Sequence, residues 1–381
     1  MYRLQICLIF FLFSFSLAQD TLIGVQSLWR HGDRPPEVIF DYDPHKNDWP
    51  VPLGELTPRG MRQHYHLGKR LFERYAIQYK LINPNYNVSE IYVRSTDVNR
   101  ALASAYSNLA GMFRKSNNTY PSDYKDWPYS WTPIPVHTVD QSLDSLLNAN
   151  WKCDRLKQLS ENRLQTKQFL LFEQSLQNLF QYLSIHSGLN VTTYKMVKKL
   201  YGTIRVETEF YNMSQPSWVT PDIFHQMETV VNASVNYAYG CAGFGLPEDS
   251  ELISLKQGHL VWQMISNMKK MMNNEPIEKY IAYSAHDTTL MSFANVLEAK
   301  VPIMGQGLID YAACFLMELW KKPDNNYYVK LLYSKNAYDD FVPVTHLIKG
   351  CDNNDNCSIE NFENATKKYT LHHPEEHCDA L

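Results

Sequence analysis

The stretch "SLWRHGDRPP", Ser27 to Pro36, sets His31 between Arg30 and Arg34 where an apolar segment runs into a proline stop. Cations this dense repel one another unless an anion lies between them. Two later segments carry the same kind of residue at the same kind of place. Arg94 follows the alternating run Ile91 to Val93, and His286-Asp287 follow Tyr280 to Ala285. Ligands of open α/β sheets bind beyond the carboxyl ends of strands, where helix N-termini and turn amides favour negative charge. Converged at one edge, Arg30, Arg34, Arg94, His31 and His286 would cage a small dianion. Guanidinium forks match the oxygens of a tetrahedral phosphate better than an ammonium does. Imidazole is a competent nucleophile toward phosphorus, and the departing alkoxide needs a proton, for which Asp287 is the candidate donor. The arginines supply the charge neutralisation, so the chemistry requires neither a metal nor a cofactor. There is no glycine-rich P-loop, H-E-x-x-H or C-x-x-C motif to suggest an NTPase, a zinc protease or a thioredoxin.

Three strand-to-helix units would position these residues. "TLIGVQSLW" reads as a buried strand ending at Arg30. "LTPRGMRQHYHLGKRLFERYAIQY" reads as a helix with Thr57 as N-cap, Pro58 first, and Met61, Tyr65, Phe72, Tyr75 and Tyr79 on one face. In that helix His64 and His66 point to different faces, which fits packing or solvated histidines better than a metal site. "SEIYVRSTDVNRALASAYSNLAGMF" is the second unit, with Ser95 to Asp97 as caps, and "KYIAYSAHDTTLMSFANVL" the third. "AACFLMELW" and "YYVKLLYS" read as two more strands joined by a Pro-Asp-Asn-Asn turn. Residues from Cys153 to Tyr239 are helical in period. The expected architecture is α/β, an open mixed sheet flanked by helices with a smaller inserted helical cap: core 19–150, cap 151–239, core 240–345, and a disulfide-tied tail 346–381.

With 44% hydrophobic, 13% aromatic and 20% charged residues, the 381-residue chain is neither disordered nor a nucleic-acid-binding tail. Residues 1–18 read as a secretory signal: Arg3, an apolar run, then Ser16-Leu17-Ala18 as the cleavage site. Without them one arginine is lost from 36 Lys+Arg against 40 Asp+Glu, a mild charge that names no polyanion or membrane as bulk partner. No later window reads as a transmembrane span, so a soluble mature protein is expected. Cys7 leaves with the signal. Cys153, Cys241, Cys314, Cys351, Cys357 and Cys378 form an even set in an oxidising compartment, with Cys351 and Cys357 spaced as a local bridge. Sequons at Asn87, Asn117, Asn190, Asn212, Asn232, Asn356 and Asn364 point to a glycoprotein and mark surface positions. His372, His373, His377 and Cys378 could ligate a transition metal, unless a disulfide takes the Cys378 thiolate.

"RHGDRPP", "VRSTDVNRALASA" and "SAHDTTL", together with "GELTPRGMRQHYHLGKRL", resemble the histidine acid phosphatases of the prostatic and lysosomal type. The resemblance implies His31 as the nucleophile forming a phosphohistidine and Asp287 as general acid. It makes Arg30, Arg34, Arg94 and His286 the phosphate binders. It also implies small phosphate monoesters as substrates, activity at acid pH, a homodimer as a frequent state, and disulfides Cys153–Cys378, Cys241–Cys314 and Cys351–Cys357. The lysosomal type carries a C-terminal membrane span that is missing here, so secretion is expected ahead of a lysosomal lumen. A secreted glycoprotein that only binds a partner, and a specialised phytase or lysophospholipid phosphatase, are the competing expectations.

Overall fold

The computed structural model describes residues 19–128, 131–351 and 353–379; the expected signal sequence lies outside them. In chain order the strands are β1 (Thr21–Arg30), β2 (Ile91–Ser95), β3 (Tyr280–Ala285), β4 (Cys314–Lys321), β5 (Tyr327–Ser334), β6 (Val342–Pro343) and β7 (Cys357–Ser358). They form one sheet in the order β2-β3-β1-β4-β5-β6, with β7 also on β5. β1, β2 and β3 run parallel, and β4 and β5 run antiparallel beside them. Arg30 pairs with Ala285 and Ser95 with Ser284, so the carboxyl ends of the three parallel strands share one edge.

These strands are apolar almost throughout because both faces are covered. Leu28, Ile281, Tyr283, Phe315 and Met317 enter one core, and Val25, Trp29, Tyr280, Ala282 and Leu316 the other. Helices α1 (Pro58–Phe72) and α2 (Asn99–Met112) close the second face. The residues between α2 and the last parallel strand supply α3 (Asp154–Leu164), α4 (Lys167–Ser175), α5 (Gln177–Ser187), α6 (Tyr194–Arg205) and α7 (Pro221–Ala238), followed by α8 (Ser250–Ile253) and α9 (His259–Met272). α10 (Asp287–Val296), α11 (Lys300–Met304) and α12 (Ile359–Thr366) complete the set. Phe169, Leu183, Val197 and Val231 of the inserted helices lie in the same buried cluster as Leu28 of the sheet, so the cap is packed onto the core and not merely hinged to it.

Local chemistry explains most element boundaries. The Thr57 hydroxyl accepts from the Gly60 amide with Pro58 at the first helical position, as expected for α1. The expected apolar face of that helix holds only in its last part: Phe72 and Tyr75 are buried, but Met61 and Tyr65 are exposed, and the buried stripe before Phe72 includes Gly60, His64, Leu67, Gly68 and Leu71. The reason is a close crossing with α2: a Cβ at Gly68 would lie 1.9 Å from the Asn108 carbonyl oxygen, so backbone meets backbone there while Met61 and Tyr65 face outward. A π-helical turn, Glu73–Gln78, then continues the helix and buries Tyr75. Ser95 to Asp97 do not cap α2, whose N-cap is Val98 without a side-chain bond. Ser95 and Thr96 point elsewhere, the latter to His286.

Two of the three expected disulfides are present, Cys153–Cys378 and Cys351–Cys357. The third is not: Cys241 and Cys314 are free. Cys314 faces the α1 side of the sheet near Arg70, whereas Cys241 lies on the cap side near Arg163 and Lys300, so the sheet separates the two thiols. Cys378 is bridged, so its thiolate is not available as a ligand, and His372 stacks on Trp262; among the described residues no three His, Cys, Asp or Glu converge on a metal position. Of the sequons, Asn87, Asn117, Asn190, Asn212, Asn356 and Asn364 are exposed, but Asn232 is half-buried within α7. Its Ser234 hydroxyl is spent on the Val230 carbonyl. Among the described residues no helix is long and apolar enough to cross a membrane.

Candidate active site

At the shared strand edge a cavity of about 540 Å³ opens between the sheet and the cap, lined among others by Arg30, His31, Arg34, Arg100, His286 and Asp287. The segment after β1 is pinned from several sides. The His31 amide donates to the Ala285 carbonyl, and the His31 carbonyl accepts from the Ala312 amide. His64 Nε2 donates to the Arg30 carbonyl across 3.0 Å. A Cβ at Gly32 would lie 2.5 Å from the Gly60 carbonyl oxygen, so only glycine lets this turn rest on the start of α1. Asp33 is buried and accepts at the same oxygen from Thr57 (2.6 Å) and from the cap residue Tyr211 (2.5 Å).

The His31 ring is the centre of the arrangement. Its Nδ1 lies 2.8 Å from the Gly32 carbonyl oxygen. A carbonyl can only accept, so Nδ1 carries the proton and Nε2 keeps its lone pair. Burial, followed by the charges of Arg30, Arg34 and Arg100, holds the imidazole well below the ordinary histidine value. His286 stands with its ring centroid 5.5 Å away, Nε2 2.9 Å from the Thr96 hydroxyl, and burial together with Arg100 pushes it down to about 3. The guanidinium of Arg30 lies 4.2 Å above the Tyr311 ring, donates to the Ile309 carbonyl and sits 3.7 Å from Asp287. Asp287 is the first residue of α10, and one of its oxygens accepts from the Thr288 amide. Burial would raise its carboxyl, but Arg30, Lys198 and Arg34 outweigh that and hold it well below the usual carboxylate range.

Arg94 is not part of this cluster. Its guanidinium is committed to the buried Asp144 at 2.9 Å and to the Ser95 carbonyl, and it does not line the cavity. It braces the end of β2 against the segment that carries Leu147, whose carbonyl accepts from Thr289 of α10. The third guanidinium acting on His31 is Arg100, missed in the sequence because an arginine in the first turn of a helix reads as solvated. It shares Glu37 with Arg34, at 2.8 and 3.3 Å, and burial and Arg34 lower its pKa. Its signal was present: a first-turn arginine on the helix that opens at the same strand edge.

An unprotonated imidazole nitrogen set among three guanidiniums, at the carboxyl edge of an α/β sheet with a carboxyl beside it, defines a phosphate-ester-handling enzyme. Residues 21–334 match the histidine phosphatase superfamily (branch 2). The chain is 32% identical over 357 residues to the lysosomal acid phosphatase of Xenopus laevis, covering 93% of this chain and 78% of that protein. Identity is also 32% over 361 residues to the prostatic acid phosphatase of Homo sapiens, covering 93% and 87%. The phytase from Citrobacter braakii shares the fold, with a TM-score of 0.66 and 18% identity over 95% of this chain and 100% of that one. The chain belongs to the histidine phosphatase superfamily, and its enzymatic class is that of an acid phosphatase.

Proposed function

We propose that the protein hydrolyses phosphate monoesters through a phosphohistidine at His31, with Asp287 as proton donor and without a metal ion. The observation that carries this reading is the Nδ1 proton aimed at the Gly32 carbonyl, which leaves Nε2 as the nucleophile beside Arg30, Arg34 and Arg100. In the first step Nε2 attacks phosphorus, the bond from phosphorus to the ester oxygen breaks, and Asp287 protonates the leaving alkoxide. In the second, water attacks the phosphohistidine, giving its proton to Asp287, and inorganic phosphate leaves. Arg30, Lys198 and Arg34 hold Asp287 ionised. A bound phosphate dianion offsets them, which brings the carboxyl back toward protonation and makes acid pH favourable for the first step. The guanidiniums do the charge neutralisation that a divalent ion provides in other phosphatases.

Rapid denaturation with labelled substrate should trap a base-stable, acid-labile adduct in the wild type and none in His31→Ala. An intact adduct in the variant would move the nucleophile to another residue. EDTA should leave the rate unchanged, and a loss restored by Zn²⁺ or Mg²⁺ would overturn metal independence. Secretion and glycosylation belong to the same proposal. Expression in secretory cells should yield a medium form beginning at Gln19 whose mass falls on removal of N-glycans.

A further inference from the structure

The cavity carries more positive charge than one phosphate ester can match. Four arginines and four lysines line it, against Glu37 and Asp287. The arginines have anionic neighbours: Arg30 faces Asp287, Arg34 and Arg100 reach Glu37, and Arg205 is held by Glu209 and Asp310. The lysines do not. Lys195, Lys198 and Lys199 stand at the i, i+3, i+4 spacing of α6 and share the face that lines the cavity, and none has a carboxylate partner among the described residues. Across four residues of α-helix this row spans about 6 Å. Like charges at one-turn spacing cost a helix stability, so nothing in the packing of α6 asks for them.

Lys256 reaches the same end of the cavity from below. It is buried, with Nζ 3.1 Å from Asn150 Oδ1 and 4.4 Å from the centre of the Tyr239 ring, and has no acid beside it. Burial and the charges of Lys198 and Lys195 bring it down to about 8, so the three ammonium groups act on one another. Lys198 is also among the cations felt at Asp287, which puts the cluster next to the reacting group. Beyond Lys195 a second hollow of about 380 Å³ continues past Asn150, Ser160 and Leu164, leaving room for more than a phosphate. A low-dielectric cleft lined by one sign of charge concentrates the opposite sign.

We infer that the lysine face of α6 is a second anion subsite, and that the preferred substrates are phosphate esters whose alcohol carries a further phosphate or carboxylate a few ångströms from the scissile group. This rests on the phosphomonoesterase reading above and adds the substrate class to it.

Glycerol 3-phosphate, 3-phosphoglycerate and 2,3-bisphosphoglycerate present one carbon skeleton with zero, one and two extra anionic groups. The wild type should favour the last over the first by about tenfold or more in kcat/KM, the scale of a charge-assisted contact. Lys195→Gln with Lys199→Gln, which keeps helix propensity, should reduce that ratio by about tenfold, whereas Lys199→Arg preserves it. About 0.5 M NaCl should compress the ratio in the wild type. A preference shared by 3-phosphoglycerate supports recognition of either anion; one confined to the bisphosphate supports a phosphate subsite. Equal kcat/KM for all three, or a preference that survives the double substitution, overturns the subsite and leaves the phosphatase reading standing. Failure to release phosphate from any of them and from an aryl phosphate overturns that reading instead.

Discussion

His31 is kept neutral by everything around it, and the sign of that effect has a measurable result. Because burial and the arginines depress its pKa, the imidazole proposed as nucleophile stays unprotonated well below the pH at which an ordinary histidine gains its proton. The kcat/KM for an aryl phosphate should therefore show no loss with an apparent pKa near the free histidine value as pH falls; a drop there would mean that the imidazole is solvated. Asp287 can be tested by contrast between substrates. An alkoxide gains far more from a proton in the transition state than an activated phenolate, so Asp287→Asn should lower the alkyl-to-aryl ratio of kcat/KM by about 10²- to 10⁴-fold. Equal losses on both would reduce Asp287 to a helix-start residue. The two arginines of the second motif should part company. Arg100→Ala should weaken inhibition by inorganic phosphate about 10- to 100-fold, as for a lost hydrogen bond to a charged group. Arg94→Ala should instead lower the melting temperature, since it strands the buried Asp144, at a cost of about 3–5 kcal/mol. His31, Arg30 and Arg34 could be read from the chain because they crowd one turn. Arg94 stands out by its strand-end position, which does not say which way its guanidinium turns, whereas Arg100 lies in the first turn of α2, where an arginine reads as solvated.

Elements were readable where burial is two-sided and obscure where backbones touch. β1, β3 and β4 announce themselves by largely apolar runs. The buried face of α1 is set by glycines against α2, and an aromatic pattern carries no trace of that. The same blindness hid an acid pair between the cap and the loop after β1. Glu207, in the π-helical turn Val206–Phe210 that extends α6, is buried, and neither its oxygens nor Asp43 Oδ2 receives a hydrogen bond from any other residue, so only a proton shared by the two acids can bridge them. Burial first, then the shared hydrogen bond and charge of Asp43, raise Glu207 to about 9. A folded-state value raised above the unfolded one means that the folded protein binds the extra proton. The stabilisation is complete in acid and is lost as pH rises toward 9. The melting temperature should therefore fall between about pH 5 and 9, and Glu207→Gln, whose amide donates without a titrating proton, should flatten that slope. An unchanged slope in the variant would assign the pH dependence to other groups.

For the molecule as a whole, the cap and sheet share one core, and the longest covalent tie lies outside it, in a small cluster with Trp151, Leu156 and Leu252. Cys153–Cys378 joins residues 225 apart, whereas Cys351–Cys357 spans 6. Chain-entropy reasoning gives the long bridge about 5 kcal/mol and the short one about 2. Chemical denaturation of the paired Cys→Ala variants should rank them in that order, and the reverse order would mean that the tail is held mainly by packing. The bridge also decides what a protease can achieve. A cut in the exposed segment around Asn212 leaves one piece with His31 and Cys153 and another with His286, Asp287 and Cys378. Those pieces remain one molecule until a reductant is added. A nicked chain should run as a single species on a non-reducing gel and as two on a reducing one, with both halves of the reaction centre still tethered to each other.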